Sequence, residues 1–266
     1  MEKTKVTDVK RKLKTMISVD FRKMFTSSLF YIMVGVAFVI PILILVMTTM
    51  MDGSTSVNPQ TGDVTVMKGF ENVWQAIGSV SGDGLQMSMD LVSMCNINLL
   101  YFLVAIFVCL FVADDFRSGY AKNLFTTRPQ KFDYVISKTL AGFVCGAVMI
   151  VAFFVGAMLG GVFSKLSFAL GGVSAFEIVM CLLSKIFLML IFVSICLAMS
   201  VFAKQKSWLS ILCSFGASML LFTMIPMITP LNSGIINLVL CVAGGAMFSV
   251  GLGFVSNIIL KKTSLV

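Results

Sequence analysis

Six long apolar stretches dominate the chain, at Leu29–Met50, Leu91–Ala113, Thr139–Phe163, Phe176–Phe202, Trp208–Thr229 and Ile235–Leu260. A helix that crosses a bilayer needs about 20 mostly apolar residues, and each stretch meets that length. The runs are continuous rather than alternating, which favours helices over a closed β-barrel, the other fold that satisfies its backbone in lipid. The pattern predicts an all-α polytopic membrane protein with six transmembrane helices. A soluble chain of 266 residues would show shorter, amphipathic runs.

The polar stretches between them have their own pattern. Val9, Leu13, Ile17, Phe21 and Phe25 recur every fourth residue, with Met16 and Met24 beside them and basic residues over much of the remaining surface. This spacing predicts an amphipathic helix in the inner headgroup layer, either a plain surface anchor or an elbow that also meets a cytoplasmic partner. Residues 1–28 thus form a cytoplasmic segment and 29–266 the six-span domain. The exterior loop, 51–90, begins with turn-forming residues around Gly53 and Pro59; Val66, Phe70, Val73, Trp74 and Ile77 then keep helical spacing. Ser81-Gly82-Asp83-Gly84 breaks that helix, and Trp74 suits the outer interface. The acids of this loop match no EF-hand spacing and read as a solvated loop.

Charge sets the orientation. Basic residues gather before the first span, between the second and third (Arg117, Lys122, Arg128, Lys131, Lys138), between the fourth and fifth (Lys204, Lys206) and after the sixth (Lys261, Lys262). With six crossings these segments share one side, which the positive-inside rule makes the cytoplasm, with both termini there. The formal net charge of +8 is thereby a topology signal and not a sign of nucleic-acid binding. The leading apolar run of 22 residues is too long for a cleavable signal core. The 7 cysteines lie in or beside apolar runs and form no Cys-x-x-Cys pair, so they read as small buried hydrophobes. With no His and no paired acids in the spans, intramembrane metal or protease chemistry is disfavoured.

Within the spans, small residues recur four apart at Gly142/Gly146, Gly156/Gly160 and Gly245/Ser249/Gly253, suited to close helix contact inside the subunit or at a dimer seam. Pro41 predicts a kink in the first span; Pro226 and Pro230 predict a broken helix or re-entrant turn at the outer end of the fifth. Lys185 stands alone in an apolar run. Either span four starts near Phe176 and Lys185 faces a cavity where it can meet anionic substrate groups, or Ser174–Ser184 is an outer interfacial helix, span four runs from about Ile186, and Lys185 snorkels at the interface.

The loop at 114–138 is the most informative. Phe116, Tyr120, Asn123 and Leu124 share one face of a short helix over about 116–126, which Pro129 should stop. Apolar residues rimmed by charge suit a protein contact, or a helix resting on its own bilayer. Asp115-Phe116-Arg117-Ser118-Gly119, then Lys122-Asn123-Leu124, then Tyr134-Val135-Ile136-Ser137-Lys138 resembles the type-2 ABC exporter permeases. The family usually has Glu at the position of Asp115, and Ser or Thr at that of Tyr120.

That resemblance implies a permease subunit of an ATP-binding cassette exporter, with a coupling helix between spans two and three. It implies that Phe116, Tyr120 and Leu124 plug into a partner ATPase, that Arg117 and Lys122 steer the contact, and that Asp115 and Gly119 set the turn. The chain contains no phosphate loop of the form Gly-x-x-x-x-Gly-Lys-[Ser/Thr]. By the same resemblance, ATP and magnesium sit on a separate cytoplasmic ABC ATPase dimer, this chain binds no cofactor, and a second permease subunit completes the transporter. The implied setting is the bacterial cytoplasmic membrane, with an amphipathic cargo: an antimicrobial peptide, a drug or a lipid. Lys185 and Pro226 are the candidate residues of its pathway. A secondary transporter or channel is the rival reading; it would show internal repeats or several intramembrane ionisable groups, and neither stands out here.

Overall fold

The computed structural model describes residues 2–57, 64–66, 69–79, 96–127, 131–170, 172–204, 206–222 and 224–262, with backbone only over 2–12, 56–57, 64–66 and at 127. Among these, the helices are α1 (Glu2–Thr26), α2 (Ser28–Met51), α3 (Leu100–Arg117), α4 (Tyr120–Thr127), α5 (Lys131–Phe163), α6 (Ala175–Ala203), α7 (Ser207–Phe222), α8 (Ile225–Ile228) and α9 (Ile235–Lys262). A small antiparallel pair, β1 (Thr55–Val57) and β2 (Val64–Val66), follows α2 with Thr55 opposite Val66.

Among the described residues, five helical segments are long and apolar enough to cross a membrane: Ser28–Met51, Ile97–Arg117, Lys131–Phe163, Ala175–Ala203 and Ile235–Lys262. The fifth predicted span differs. Its helix α7 has 16 residues, a rise of about 24 Å against a hydrocarbon core of about 30 Å, and the chain resumes as the four-residue α8. Pro226 lies in the first turn of α8, the one place in a helix where its missing N–H costs nothing.

The third predicted span also changes. Helix α5 begins at Lys131, two turns before Thr139, because the bundle itself neutralises the charges on that extension. The apolar periodicity from Val66 to Ile77, expected as an exterior helix, is not one: Val66 ends β2 and Val73–Ala76 is a single 3-10 turn. That turn is pinned to the loop after α5, where the Val73 N–H reaches the Ser167 carbonyl at 3.2 Å and Trp74 Nε1 reaches the Phe168 carbonyl at 3.2 Å. Ser81–Gly84, Pro129 and Cys95 lie outside the described residues.

Helices α3 and α6 form the centre of the bundle, with α5 against both. Around them α2 packs on α5, α9 on α6, and α7 on α3 and α6. Glycines set the two most extensive contacts. A Cβ at Gly156 would run into the Phe38 carbonyl of α2, and one at Gly245 would lie 2.9 Å from the Phe187 carbonyl of α6. Gly142 and Gly146 face Val193 and Met189 of α6. These small-residue stripes therefore serve packing within the subunit. Helix α2 runs on through Pro41, which is buried on the side facing α5. Cys109, Cys145, Cys181, Cys196 and Cys241 are buried free thiols. By contrast α2 and α9 present broad apolar faces outward, among them Ile32, Leu43, Met47, Ile236, Leu240 and Met247.

Candidate functional site

At the end of the bundle where α3 finishes and α5 begins, charged side chains are buried together. Asp115, in the last turn of α3, is 0% exposed, and Lys138 of α5 and Asp20 of α1 are each 1% exposed. Lys138 Nζ lies 2.6 Å from Asp115 Oδ2 and 2.8 Å from Asp20 Oδ1. Tyr134 OH donates to Asp115 Oδ2 at 3.0 Å, and Ser137 Oγ donates to Asp20 Oδ2. Lys23 of α1 closes the network with Nζ 2.7 Å from both Asp115 Oδ1 and Asp114 Oδ2. Lys138 also sits 4.0 Å from the Phe111 ring centroid, in cation–π range. Desolvating a charge costs several kcal/mol, which only close, fully hydrogen-bonded partners repay (about 3–5 kcal/mol is lost when one is removed). Here three carboxylates meet two ammonium groups, and Asp114 keeps its side chain largely in water. The geometry locks α1, the end of α3 and the start of α5 into one body.

The loop that follows is tied to the remaining helices. Helix α3 ends at Arg117, the chain turns at Gly119 with φ +73, and α4 starts at Tyr120. That backbone region strains any residue with a Cβ, so glycine fits the turn. Arg117 Nη2 donates to Ser207 Oγ at 3.1 Å, at the head of α7. Lys131 Nζ donates to the Leu260 carbonyl at 2.7 Å, near the C-terminal end of α9, where the exposed carbonyls favour a cation. Thus the residues that flank α4, Asp115 and Arg117 at the end of α3 and Lys131 at the start of α5, make polar links to α1, α5, α7 and α9.

The expected loop residues divide. Phe116, expected as an outward plug, is instead 7% exposed and packed in the chain's own core, because it belongs to the end of α3 and not to the short helix. Asp115 is likewise buried, as the hub of the network. Arg117 and Lys122 are exposed, Tyr120 and Leu124 half-buried, and Gly119 forms the turn. The N-terminal helix differs too. Its deeply buried stripe is Met16, Asp20 and Met24, while Phe25 is 44% exposed. The helix has rotated about one residue from the expected face, because Asp20 is drawn in to Lys138. Lys23 titrates above an ordinary lysine: burial acts to lower it, but the hydrogen bonds and charges of Asp114 and Asp115 outweigh that effect.

Residues 16–220, more than three quarters of the chain and including this whole network, match a family model described as ABC-2 family transporter protein. The chain belongs to the ABC-2 transporter family. It is a multi-pass membrane protein and a type-2 ABC permease, a transport subunit. Comparison with curated proteins and with solved structures returns no match.

A second polar cluster lies toward the opposite end of the bundle, near the start of α6. Helix α6 is continuous from Ala175, started by a capping box in which Ser174 and Glu177 bond each other's backbone N–H. Lys185 is inside that helix and 1% exposed, so the snorkelling arrangement does not occur. It lies ten residues in, about 15 Å along the axis. Its Nζ donates to Asn98 Oδ1 at 2.9 Å and to Thr229 Oγ1 at 3.0 Å. Among the described residues no carboxylate pairs with it; Glu177 is held in the cap. Tyr101 OH donates to the Lys185 carbonyl at 3.0 Å. Pro226, half-buried in α8, holds the segment that carries Thr229 but does not touch Lys185 through any hydrogen bond. Buried charges are normally paired, so an ammonium whose described hydrogen-bond partners are neutral is unusual.

Proposed function

We propose that this permease is driven by a separate cytoplasmic ABC ATPase that grips α4, and that the buried network around Asp115 passes the motion to the spans. One observation carries the reading: the segment bearing Lys122 and Leu124 is rooted in a body that joins α1, α3 and α5 and is linked to α7 and α9. A push on α4 therefore moves several helices together rather than bending one loop. Tyr120 and Leu124 supply apolar contact, Lys122 and Arg117 supply charge, and Gly119 and Asp115 fix the angle of the helix. ATP and magnesium bind on the partner.

In this proposal α1 is the elbow helix in the inner headgroup layer, and the chain crosses the bilayer six times with α7 and α8 together making the short fifth crossing. Both termini are cytoplasmic, in a bacterial plasma membrane, as the distribution of Lys and Arg favours. Two such permease subunits assemble, joined through apolar faces of the kind exposed on α2 and α9. The cargo is amphipathic: an antimicrobial peptide, a drug or a lipid.

The test is reconstitution of the permease with its ATPase in vesicles. Tyr120→Ala with Leu124→Ala should abolish ATP-driven transport and weaken ATPase binding while leaving the helical fold intact by circular dichroism. Unchanged binding and transport in that double variant, or transport driven by a proton gradient with no ATPase present, would overturn the proposal.

A further inference from the structure

We infer that Lys185, with the Ser184 hydroxyl beside it, forms an anion-binding site in the outer half of the bundle, built for the oxyanion headgroup of an amphipathic cargo. Its link to cargo rests on the transport reading above; the site itself rests on geometry.

Three observations carry it. First, the Lys185 ammonium is buried at 1% exposure, and its described hydrogen-bond partners are neutral oxygens, from Asn98 and Thr229. An ammonium has three donors, so two are committed and one remains for a further acceptor. Buried charges are normally paired, and neutral oxygens do not supply the missing negative charge. Second, the neighbouring Ser184 Oγ is buried and makes no well-formed hydrogen bond among the described residues, with only the weakly polar Cys241 thiol close to it. A thiol is a weak donor and acceptor, so the hydroxyl keeps most of its capacity for a stronger acceptor. Third, the partners of Lys185 ride on the short elements at the outer end. Asn98 belongs to the 3-10 turn Ile97–Leu99, and Thr229 closes the four-residue α8, where its hydroxyl donates to the Ile225 carbonyl. The α8 segment is held to the exterior turn by the Leu231 N–H on the Ser79 carbonyl, at 2.8 Å.

These facts give a sequence of events. In the closed bundle, Asn98 and Thr229 occupy the ammonium and hold α8 down across the outer end. When α8 lifts, Thr229 leaves and the ammonium exchanges a neutral oxygen for a charged one. Phosphate and carboxylate share the required chemistry, a compact anionic oxygen that accepts from an ammonium and a hydroxyl.

The experiment uses the full chain alone in phosphatidylcholine nanodiscs, with no ATPase, and measures radiolabelled dodecyl phosphate by scintillation proximity against empty nanodiscs. Saturable binding is expected. Lys185→Met should weaken it about tenfold or more, as expected for loss of a charged hydrogen bond, and Lys185→Arg should restore part of it. Lys165→Met, at an exposed outer lysine, should leave it unchanged. Thr229→Val keeps the lysine and removes a competing acceptor, so it should tighten binding about threefold or more; it also serves if Lys185→Met does not fold. Equal affinity in wild type and Lys185→Met, unchanged affinity in Thr229→Val, or equal binding of dodecyltrimethylammonium would overturn the site. Inorganic phosphate binding as tightly as dodecyl phosphate would overturn the headgroup assignment. Because no ATPase is present, failure here leaves the ATP-driven reading standing, and failure of that reading leaves this measurement intact.

Discussion

Lys138→Met is the perturbation that reads the network around Asp115 most sharply. Lys138 stands between two carboxylates that are 1% and 0% exposed, at 2.8 and 2.6 Å. Removing the ammonium leaves Asp20 and Asp115 as buried like charges, with Lys23 reaching only Asp115 and Asp114. Stranding buried charge in this way costs about 3–5 kcal/mol. Asp20→Asn keeps the shape and leaves Lys138 with Asp115, so it forfeits one charged hydrogen bond, about 1.5–3 kcal/mol. In the double variant Asp20→Asn with Lys138→Met, the carboxylate that the methionine would strand is already neutral. Its total cost should fall short of the sum of the single variants by about 2 kcal/mol. Asp114→Asn is the surface control, at a side chain 61% exposed, and should cost no more than about 1 kcal/mol. The assay is reversible unfolding in mixed micelles, followed by fluorescence of Trp74 and Trp208. Additivity within about 0.5 kcal/mol, or a Lys138→Met cost near that of Asp114→Asn, would refute the claim that the network is a coupled, desolvated unit.

Other outcomes follow from the same geometry. Gly156→Ala should destabilise the α2–α5 contact by about 1–3 kcal/mol in the same assay, because the new Cβ meets the Phe38 carbonyl; Gly251→Ala, in open space on α9, should be neutral or slightly stabilising. Gly119→Ala should cost about 1–2 kcal/mol at φ +73 and lower transport per ATP hydrolysed in vesicles. The folded-state value of Lys23 is raised, so its stabilising contribution is fully present below the ordinary lysine value and is lost as pH rises through the higher folded value. The stability gap between wild type and Lys23→Met should therefore hold constant from pH 7 to about 10 and shrink above it.

The apolar runs and the Lys and Arg pattern were enough to read a helical membrane protein, because length and hydropathy are local properties of a spanning helix. The Asp115-to-Lys138 segment carried the family for a related reason: its residues are the ones that meet in space. What the sequence hid are contacts between distant positions. Asp20 is a lone acid between Met16 and Met24 in a basic helix, and that stripe was a usable signal, but the fourfold spacing of Val9 to Phe25 pointed to the adjacent face. Only the reach of Lys138 decides between them. Phe116 could not be told from a solvent-facing plug, since the helix break depends on the backbone at Gly119 and not on hydropathy. Likewise the exterior apolar spacing from Val66 to Ile77 mimicked a helix, while hydrogen bonds to the Ser167 and Phe168 carbonyls hold a single turn. Lys185 was conspicuous from the start; its choice of interior over interface follows from the capping box at Ser174 and Glu177, which starts the helix early and carries the lysine inside.

The central claim is that a nucleotide-driven partner engages α4. A photo-crosslinking amino acid in place of Lys122, in vesicles holding the permease and its ATPase, tests it most directly. The account predicts a crosslink to the ATPase whose yield changes when ATP is added and magnesium is present. Crosslinks confined to lipid or to the permease itself, in every nucleotide state, would contradict it.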